Sequence, residues 1–265
     1  MRIAVLQMKA VAGDVAANLA RIESAAVQAA DGGARILVAP ELATTGYGAG
    51  SIIADLAEPR DGRQVERLTA ISQKRDLAVV AGFAERDGAD VFNSLALADG
   101  NAEPAIYRKR QLYGAYERTL FSPGPPAGML CTVTGLTFGL LICYDVEFPE
   151  LVRRLALAGA DAVLVPTALP ESPFANFIAT AVVPVRAFEN QIFIAYANHA
   201  GRDDSFSYAG RSRIVGPDGS TLAAAGAYED TVIFADIDPD AFACSREANT
   251  YLGDLPETLK PTRIP

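Results

Sequence analysis

Histidine occurs once in this 265-residue chain, cysteine three times, and long apolar runs not at all. Each scarcity closes off a class of protein. The cysteines, Cys131, Cys143 and Cys244, are odd in number and widely spaced. They make no disulfide framework and fit a reducing compartment. No stretch approaches the roughly 18 apolar residues of a membrane span. The opening "MRIAVLQ" is too short an apolar run for a secretory signal and has no small-residue cleavage site. Basic residues are also short: 23 Lys and Arg stand against 32 Asp and Glu, a net charge of -9. That balance argues against nonspecific nucleic-acid or anionic-membrane binding, both of which need a basic surface. The expectation is a cytoplasmic protein with no nucleic-acid and no membrane partner.

What is present is core material. Half of the residues are hydrophobic and 21% are charged, enough apolar surface for a large folded unit. Strand-like and helix-like segments alternate. "IAVLQ" (3–7) reads as a strand. In "AANLARIESAAVQAA" (16–30), Leu19, Ile22, Ala26 and Ala29 share one helical face, and Asp31-Gly32-Gly33 ends it. Strands are expected at "ARILVAP", "LAVVAGFAE", "VFNSLALAD", "PAIYRKR", "LTFGLLIC", "DAVLVPTA", "IFIAYANHA", "RSRIVGP" and "TVIFADID". Helices are expected near "RQVERLTAISQKRD", at "PELVRRLALAGA" with Pro149 at its first position, and around "FIATAVVPVRAFENQ". Pro217-Asp218-Gly219 marks a turn between two strands. This alternation implies parallel strands covered by helices. No linker of biased composition interrupts it, so residues 1–265 read as a single α/β domain with a C-terminal arm from about 245 to 265.

In open α/β sheets reactive groups gather past the carboxyl ends of strands. Glu41 follows "RILVAP", Cys143 follows "LTFGLLI", and Lys109 ends "PAIYRK". Were these three strands parallel neighbours, the side chains would meet on one rim. A thiol of pKa about 8.5 needs a base or cation beside it, and with His199 the only imidazole, a carboxylate is the more available base. Glu41 is that candidate, Lys109 a candidate for stabilising a thiolate or an oxyanion, and the backbone N–H of Tyr144 a second oxyanion donor. Each has a plainer reading. Cys143 could be a core residue, Glu41 a helix cap, Lys109 part of a solvated "YRKR" patch, and His199 a hydrogen-bonded structural group. Cys131 and Cys244 lack any such context and read as inert. Asp145 reads as support for the turn, Glu147 as pocket lining, and Arg186 with Glu189 as an ion pair three residues apart on one helix. "GYGAG" (46–50) lacks the lysine and hydroxyl of a phosphate loop, which excludes nucleotide binding by that motif.

Three blocks, "APEL" (39–42), "YRKRQLYG" (107–114) and "LICYDVEFPE" (141–150), together resemble the catalytic blocks of the nitrilase superfamily, the carbon–nitrogen hydrolases. "VRAFENQIFIAYANHAG" (185–201) and the turn at Gly216-Pro217-Asp218-Gly219 extend the resemblance over nearly the whole chain. It implies a four-layer α-β-β-α sandwich, a Glu-Lys-Cys triad at Glu41, Lys109 and Cys143, and a second glutamate at Glu117. It further implies substrate or oxyanion contacts at Tyr144, Glu147, Thr167 and Ala168, no metal or other cofactor, and a homodimer or larger homo-oligomer. Two positions depart from the pattern: Gln111, where many members carry histidine, and Arg211, where many keep a small residue. Tyr144-Asp145, rather than Trp-Glu, resembles the amidase side of the superfamily. The implied activity is hydrolysis of a small carboxamide to acid and ammonia through a thioester. The rival activities are an N-carbamoyl amidohydrolase, an ω-amidase, a nitrilase, or a non-catalytic scaffold.

Overall fold

A computed structural model describes residues 1–100, 102–126 and 128–259. The last part of the expected arm, 260–265, lies outside the described residues.

Twelve strands form two six-stranded sheets. The first is built from β1 (Arg2–Gln7), β2 (Ile36–Val38), β3 (Ala78–Asp87), β4 (Asp90–Ala98) and β5 (Ala105–Arg108), and is completed by β12 (Thr231–Asp236) in the order β12-β1-β2-β3-β4-β5. The second takes β6 (Leu130–Val133), β7 (Leu136–Leu140), β8 (Ala162–Thr167), β9 (Phe193–Asn198), β10 (Arg213–Val215) and β11 (Thr221–Ala224), in the order β11-β10-β9-β8-β7-β6. Read from β12 and from β6, both sheets repeat one pairing pattern: antiparallel, parallel, parallel, antiparallel, antiparallel. The parallel pairs are those bridged by helical crossovers, as the sequence alternation implied.

Helix α1 (Val15–Asp31) starts where the Asp14 carboxylate accepts the Ala17 N–H at 2.9 Å, and it stops at Gly32, with Gly33 left-handed at φ 75°. Two further helices precede β3: α2 (Ile53–Leu56) and α3 (Arg63–Arg75). After β5 come α4 (Gly114–Leu120), α5 (Pro149–Leu157), α6 (Ala175–Phe177) and α7 (Val183–Asn190). Pro149 opens α5, where a missing N–H costs nothing. Pro184 has no N–H to donate, and a wide π-turn, Ile178–Val182, leads into α7 instead of a continuous α-helix.

Period-2 alternation assigns the faces. Ile3, Val5, Ile36, Val38 and Val80 point inward to the second sheet and share a core with Phe138, Leu140, Val163 and Ile194. Ala4, Leu6, Leu37 and Val79 point outward to Ile22 and Ala26 of α1 and to Leu68 and Ile71 of α3. The second sheet is covered on its outer side by α5 and α7, through Val152, Leu155, Val183 and Ala187. The result is the four-layer α-β-β-α sandwich. Each of the fully buried Val, Leu and Ile side chains among these contributes about 1.5–3 kcal/mol. No helix among the described residues is long and apolar enough to cross a membrane.

The strands leading to Glu41, Lys109 and Cys143 are not parallel neighbours, which corrects the expectation drawn from their placement. β2 and β5 share a sheet but have β3 and β4 between them, and β7 belongs to the other sheet. The three side chains still reach a common rim. The tight turn at Gly88 (φ 59°) reverses β4, and β5 reverses again, so β5 runs in the direction of β2 and both end on the same side. The isolated parallel bridge between Met8 and His199 ties the ends of β1 and β9 across the two sheets at that level.

Candidate active site

Glu41 sits three residues beyond β2, fully buried. Its backbone approaches β3 closely. A Cβ on Gly82 would lie 2.1 Å from the Leu42 nitrogen and 2.7 Å from the Glu41 Cα, so only glycine permits the approach. Leu42 is held at φ 47°, an uncommon conformation for a side-chain-bearing residue. His199 donates from Nε2 to the Glu41 carbonyl (2.7 Å), and its Nδ1 lies 3.3 Å from the Met8 carbonyl. Burial holds this imidazole below its ordinary pKa. The lone histidine therefore anchors the acid's backbone.

Lys109, the residue after β5, is completely covered. Its Nζ donates to Glu41 Oε1 and to Glu117 Oε1, each at 2.6 Å. Its backbone is fixed from two sides: its N–H donates to the Asn93 carbonyl (2.8 Å), and its carbonyl accepts the Gly124 N–H (2.8 Å). Burial alone would lower the lysine's pKa. Glu41 and Glu117 outweigh it and hold the ammonium well above its usual range.

Glu117, placed in the site by the family resemblance, is fully buried in α4. Oε1 accepts from Lys109 and from the Tyr47 hydroxyl (2.9 Å), and Oε2 accepts the Tyr113 N–H (2.8 Å). Burial pushes its carboxyl up, and Lys109 opposes that. The two glutamates are thus unequal. Both oxygens of Glu117 are engaged. Glu41 uses only Oε1, taking Lys109 and the Asn93 side-chain amide (2.7 Å), while the buried Oε2 has no partner among the described residues.

Cys143 comes three residues after β7 and opens a 3-10 turn, Cys143–Glu147. It sits at φ 47°, and a strained backbone at a nucleophile is a familiar device for presenting the side chain. The residue is buried at 8% exposure, against none for the charges around it. The thiol is held well above its ordinary pKa by burial first and by Glu41. Lys109 pulls it down, Glu117 pushes it up, and the Ala168 N–H donated to the sulfur pulls it down. All three charged groups therefore lie within electrostatic reach of the sulfur.

The nucleophile turn is gripped at both ends. Asp145 accepts the Ile142 N–H (3.1 Å), the Gln111 N–H (2.8 Å) and the Tyr107 hydroxyl (3.0 Å). Burial raises its carboxyl to about 6. Gln111 thus meets the site through its backbone. At the far end Arg186 of α7 donates to the carbonyls of Val146 (3.1 Å) and Glu147 (2.9 Å) while paired with Glu189 (2.9 Å). Thr167 ends β8 and Ala168 follows it, with the Ala168 backbone beside the Cys143 sulfur, and the Thr167 carbonyl accepts the Glu41 N–H at 3.4 Å. Glu147 is half-buried, its carboxyl raised by burial against the pull of Lys109 and Arg186. Tyr144 lies edge-on between Tyr113 and Phe148 (centroids 5.2 and 4.9 Å), forming an aromatic rim.

Arg211 lies in a separate cleft of about 410 Å³ with Glu171, Ala175 and Tyr228. Cys131 is half-buried and Cys244 exposed. Sequence reasoning missed Tyr47 and Asn93. Tyr47 lay inside "GYGAG", read only for its glycines, and Asn93 is the single amide within the apolar run "VFNSLALA".

Residues 2–246 match the family described as Carbon-nitrogen hydrolase. The chain belongs to the carbon–nitrogen hydrolases, the nitrilase superfamily. Among relatives, it is 41% identical over 258 residues to a "Hydrolase in pqqF 5'region" of Pseudomonas protegens, covering 96% of this chain and 88% of that protein. It is 37% identical over 257 residues to an (R)-stereoselective amidase of Pseudomonas sp., covering 96% and 91%. Among solved structures, the amidase of Nesterenkonia sp. AN1 superposes with a TM-score of 0.87 at 36% identity, over 98% of both chains. A variant of that amidase carries acrylamide joined by Michael addition to its active-site cysteine. This carbon–nitrogen hydrolase accordingly has an amidase-type, cysteine-dependent chemistry.

Proposed function

We propose that Glu41, Lys109, Cys143 and Glu117 hydrolyse a small primary carboxamide to the acid and ammonia. The observation that carries the assignment of roles is the free Oε2 of Glu41: of the four carboxylate oxygens around Lys109, it alone lacks a donor among the described residues. Glu41 is therefore the base and Glu117 the fixed counter-charge. Oε2 takes the thiol proton as Sγ attacks the amide carbon. Lys109 has three N–H bonds and spends two on the glutamates, leaving the third for the oxyanion. The Tyr144 N–H, in the first turn of the 3-10 segment where backbone donors lack helical partners, supplies a second donor. The proton on Glu41 passes to the leaving nitrogen, ammonia departs, and a thioester remains. Glu41 then deprotonates water, which attacks the thioester. The tetrahedral intermediate collapses, the acid leaves, and the proton returns to sulfur.

Glu147, Thr167 and Ala168 line the acyl and leaving-group sides, and the rim of Tyr113, Tyr144 and Phe148 suits an apolar acyl group. An ω-amidase reading needs a cation for the remote carboxylate, and the nearby Arg186 is committed to two carbonyls and Glu189. Exposed Phe174, Phe177 and Val185 on the helical layer support a homo-oligomer, and the reducing-compartment cysteine pattern supports a cytoplasmic setting.

An ammonia-release screen of amides, nitriles and N-carbamoyl compounds tests the reading. Turnover is expected for small aliphatic amides, lost to background in Cys143→Ala, with substrate protecting Cys143 from iodoacetamide. Full ammonia release by Cys143→Ala sinks the proposal.

A further inference from the structure

The carboxylate of Glu41 is symmetric as a chemical group, yet only one of its oxygens lacks a donor among the described residues. We propose that Asn93 is the positioning residue that makes it so, selecting Oε2 as the base. The inference rests on the amide-hydrolase reading of the site.

Asn93 lies on β4 and is nearly inaccessible, 1% exposed. Its Nδ2 donates to Glu41 Oε1 at 2.7 Å, the same oxygen that receives Lys109 Nζ at 2.6 Å. The orientation of the amide is not in question, because a carboxylate oxygen accepts and cannot donate. Its own Oδ1 has no partner among the described residues. A buried amide with an unpaired acceptor is a poor core residue, since an apolar side chain of that shape would avoid the desolvation penalty. Among the described residues its only side-chain hydrogen bond goes to Glu41, so its contribution lies there.

Two donors on Oε1 set the rotation of the carboxylate and leave Oε2 as the oxygen without a donor among the described residues. Lys109 alone is a poor orienting group, because its ammonium is shared with Glu117 and turns about its stem. The Asn93 carbonyl separately accepts the Lys109 N–H at 2.8 Å. One residue thus holds the acid by its side chain and the lysine by its backbone, and a side-chain substitution leaves the second bond in place.

The test compares the wild type with Asn93→Ala and with Asn93→Asp, which keeps the shape and replaces the donor by a carboxylate. Two readouts are taken against pH: kcat and KM for a small aliphatic amide such as propionamide, and the rate of Cys143 alkylation by iodoacetamide, resolved from Cys131 and Cys244 by peptide mapping. Thermal melts establish folding, and should the alanine variant not fold, the isosteric aspartate carries the comparison. The expected kcat loss is about 10- to 100-fold, the range for losing a hydrogen bond to a charged group. KM should move less than about threefold, since the contact acts on the chemical step. The acid limbs of both turnover and alkylation should move to higher pH in Asn93→Asp, because facing carboxylates share a proton. A folded Asn93→Asp with wild-type pH profiles overturns the proposal. Alkylation needs no turnover, so a wild type inactive on every amide would refute the functional reading while the alkylation profile still decided the role of Asn93.

Discussion

At the scale of single residues, the site is a count of donors against acceptors. One ammonium and one phenol saturate Oε1 of Glu117, and one ammonium and one amide saturate Oε1 of Glu41. Tyr47 is the least expected member, since nothing about a tyrosine between glycines marks it as a partner for a glutamate 70 residues on. Burial and the negative charge of Glu117 hold its hydroxyl far above the ordinary range, so it remains a donor at any working pH. Tyr47→Phe removes that donor and leaves the packing against Tyr116 and Phe206. The expected cost is about 1.5–3 kcal/mol of transition-state stabilisation, roughly 10- to 150-fold in kcat/KM, read by ammonia release with the melting temperature as control. Glu41 and Cys143 were legible because each punctuates the end of an apolar run, and Lys109 only through the family resemblance of its block. Asn93 and Tyr47 were not legible, because their roles depend on which side chain faces them across the sandwich.

At the scale of elements, what matters is how a loop is brought against a strand. The Glu41–Leu42 segment lies so close to β3 that Gly82 has no room for a side chain. The Gly82 N–H donates to the Pro40 carbonyl (3.0 Å), and its carbonyl accepts the Thr44 N–H (3.2 Å), so the strand grips the loop on both sides of Glu41. Gly82→Ala must push the loop outward. It should lower stability by about 1–3 kcal/mol, as overpacking does. At temperatures where the variant is fully folded it should still lose most of its kcat/KM, because the Glu41 carboxylate is displaced with its backbone. Thermal melts and ammonia release on the same sample measure both, and unchanged activity would refute the gripping role. Element identity was mostly legible: β1, α1, α3, β3, β4, α5, β8 and β9 fall where periodicity placed them. The short strands β6 and β11 and the two-turn helix α4 were not, since four to seven residues carry too little period to distinguish them from loop.

At the scale of the whole molecule, the site exists only because two sheets face each other. Glu41, Lys109 and Glu117 come from the half of the chain that builds the first sheet, and Cys143 and Ala168 from the half that builds the second. Sequence placement identified the shared rim and erred on why it is shared. Direction along the strand can be argued from local pattern, whereas membership of one sheet or the other is a long-range fact. The spacing between sheets therefore sets the relation of acid and ammonium to sulfur, and β3 offers a matched pair to test it. Val79 and Val80 are adjacent and both fully buried, but Val79 packs outward under α1 and α3, while Val80 packs inward against the second sheet. Either change to alanine should cost about 1–3 kcal/mol by leaving a cavity. Only Val80→Ala lets the sheets shift against each other, so only it should lower kcat/KM measured well below both melting temperatures. Equal losses of activity in the two variants, or none in either, would show that the distance between sheets does not govern the chemistry.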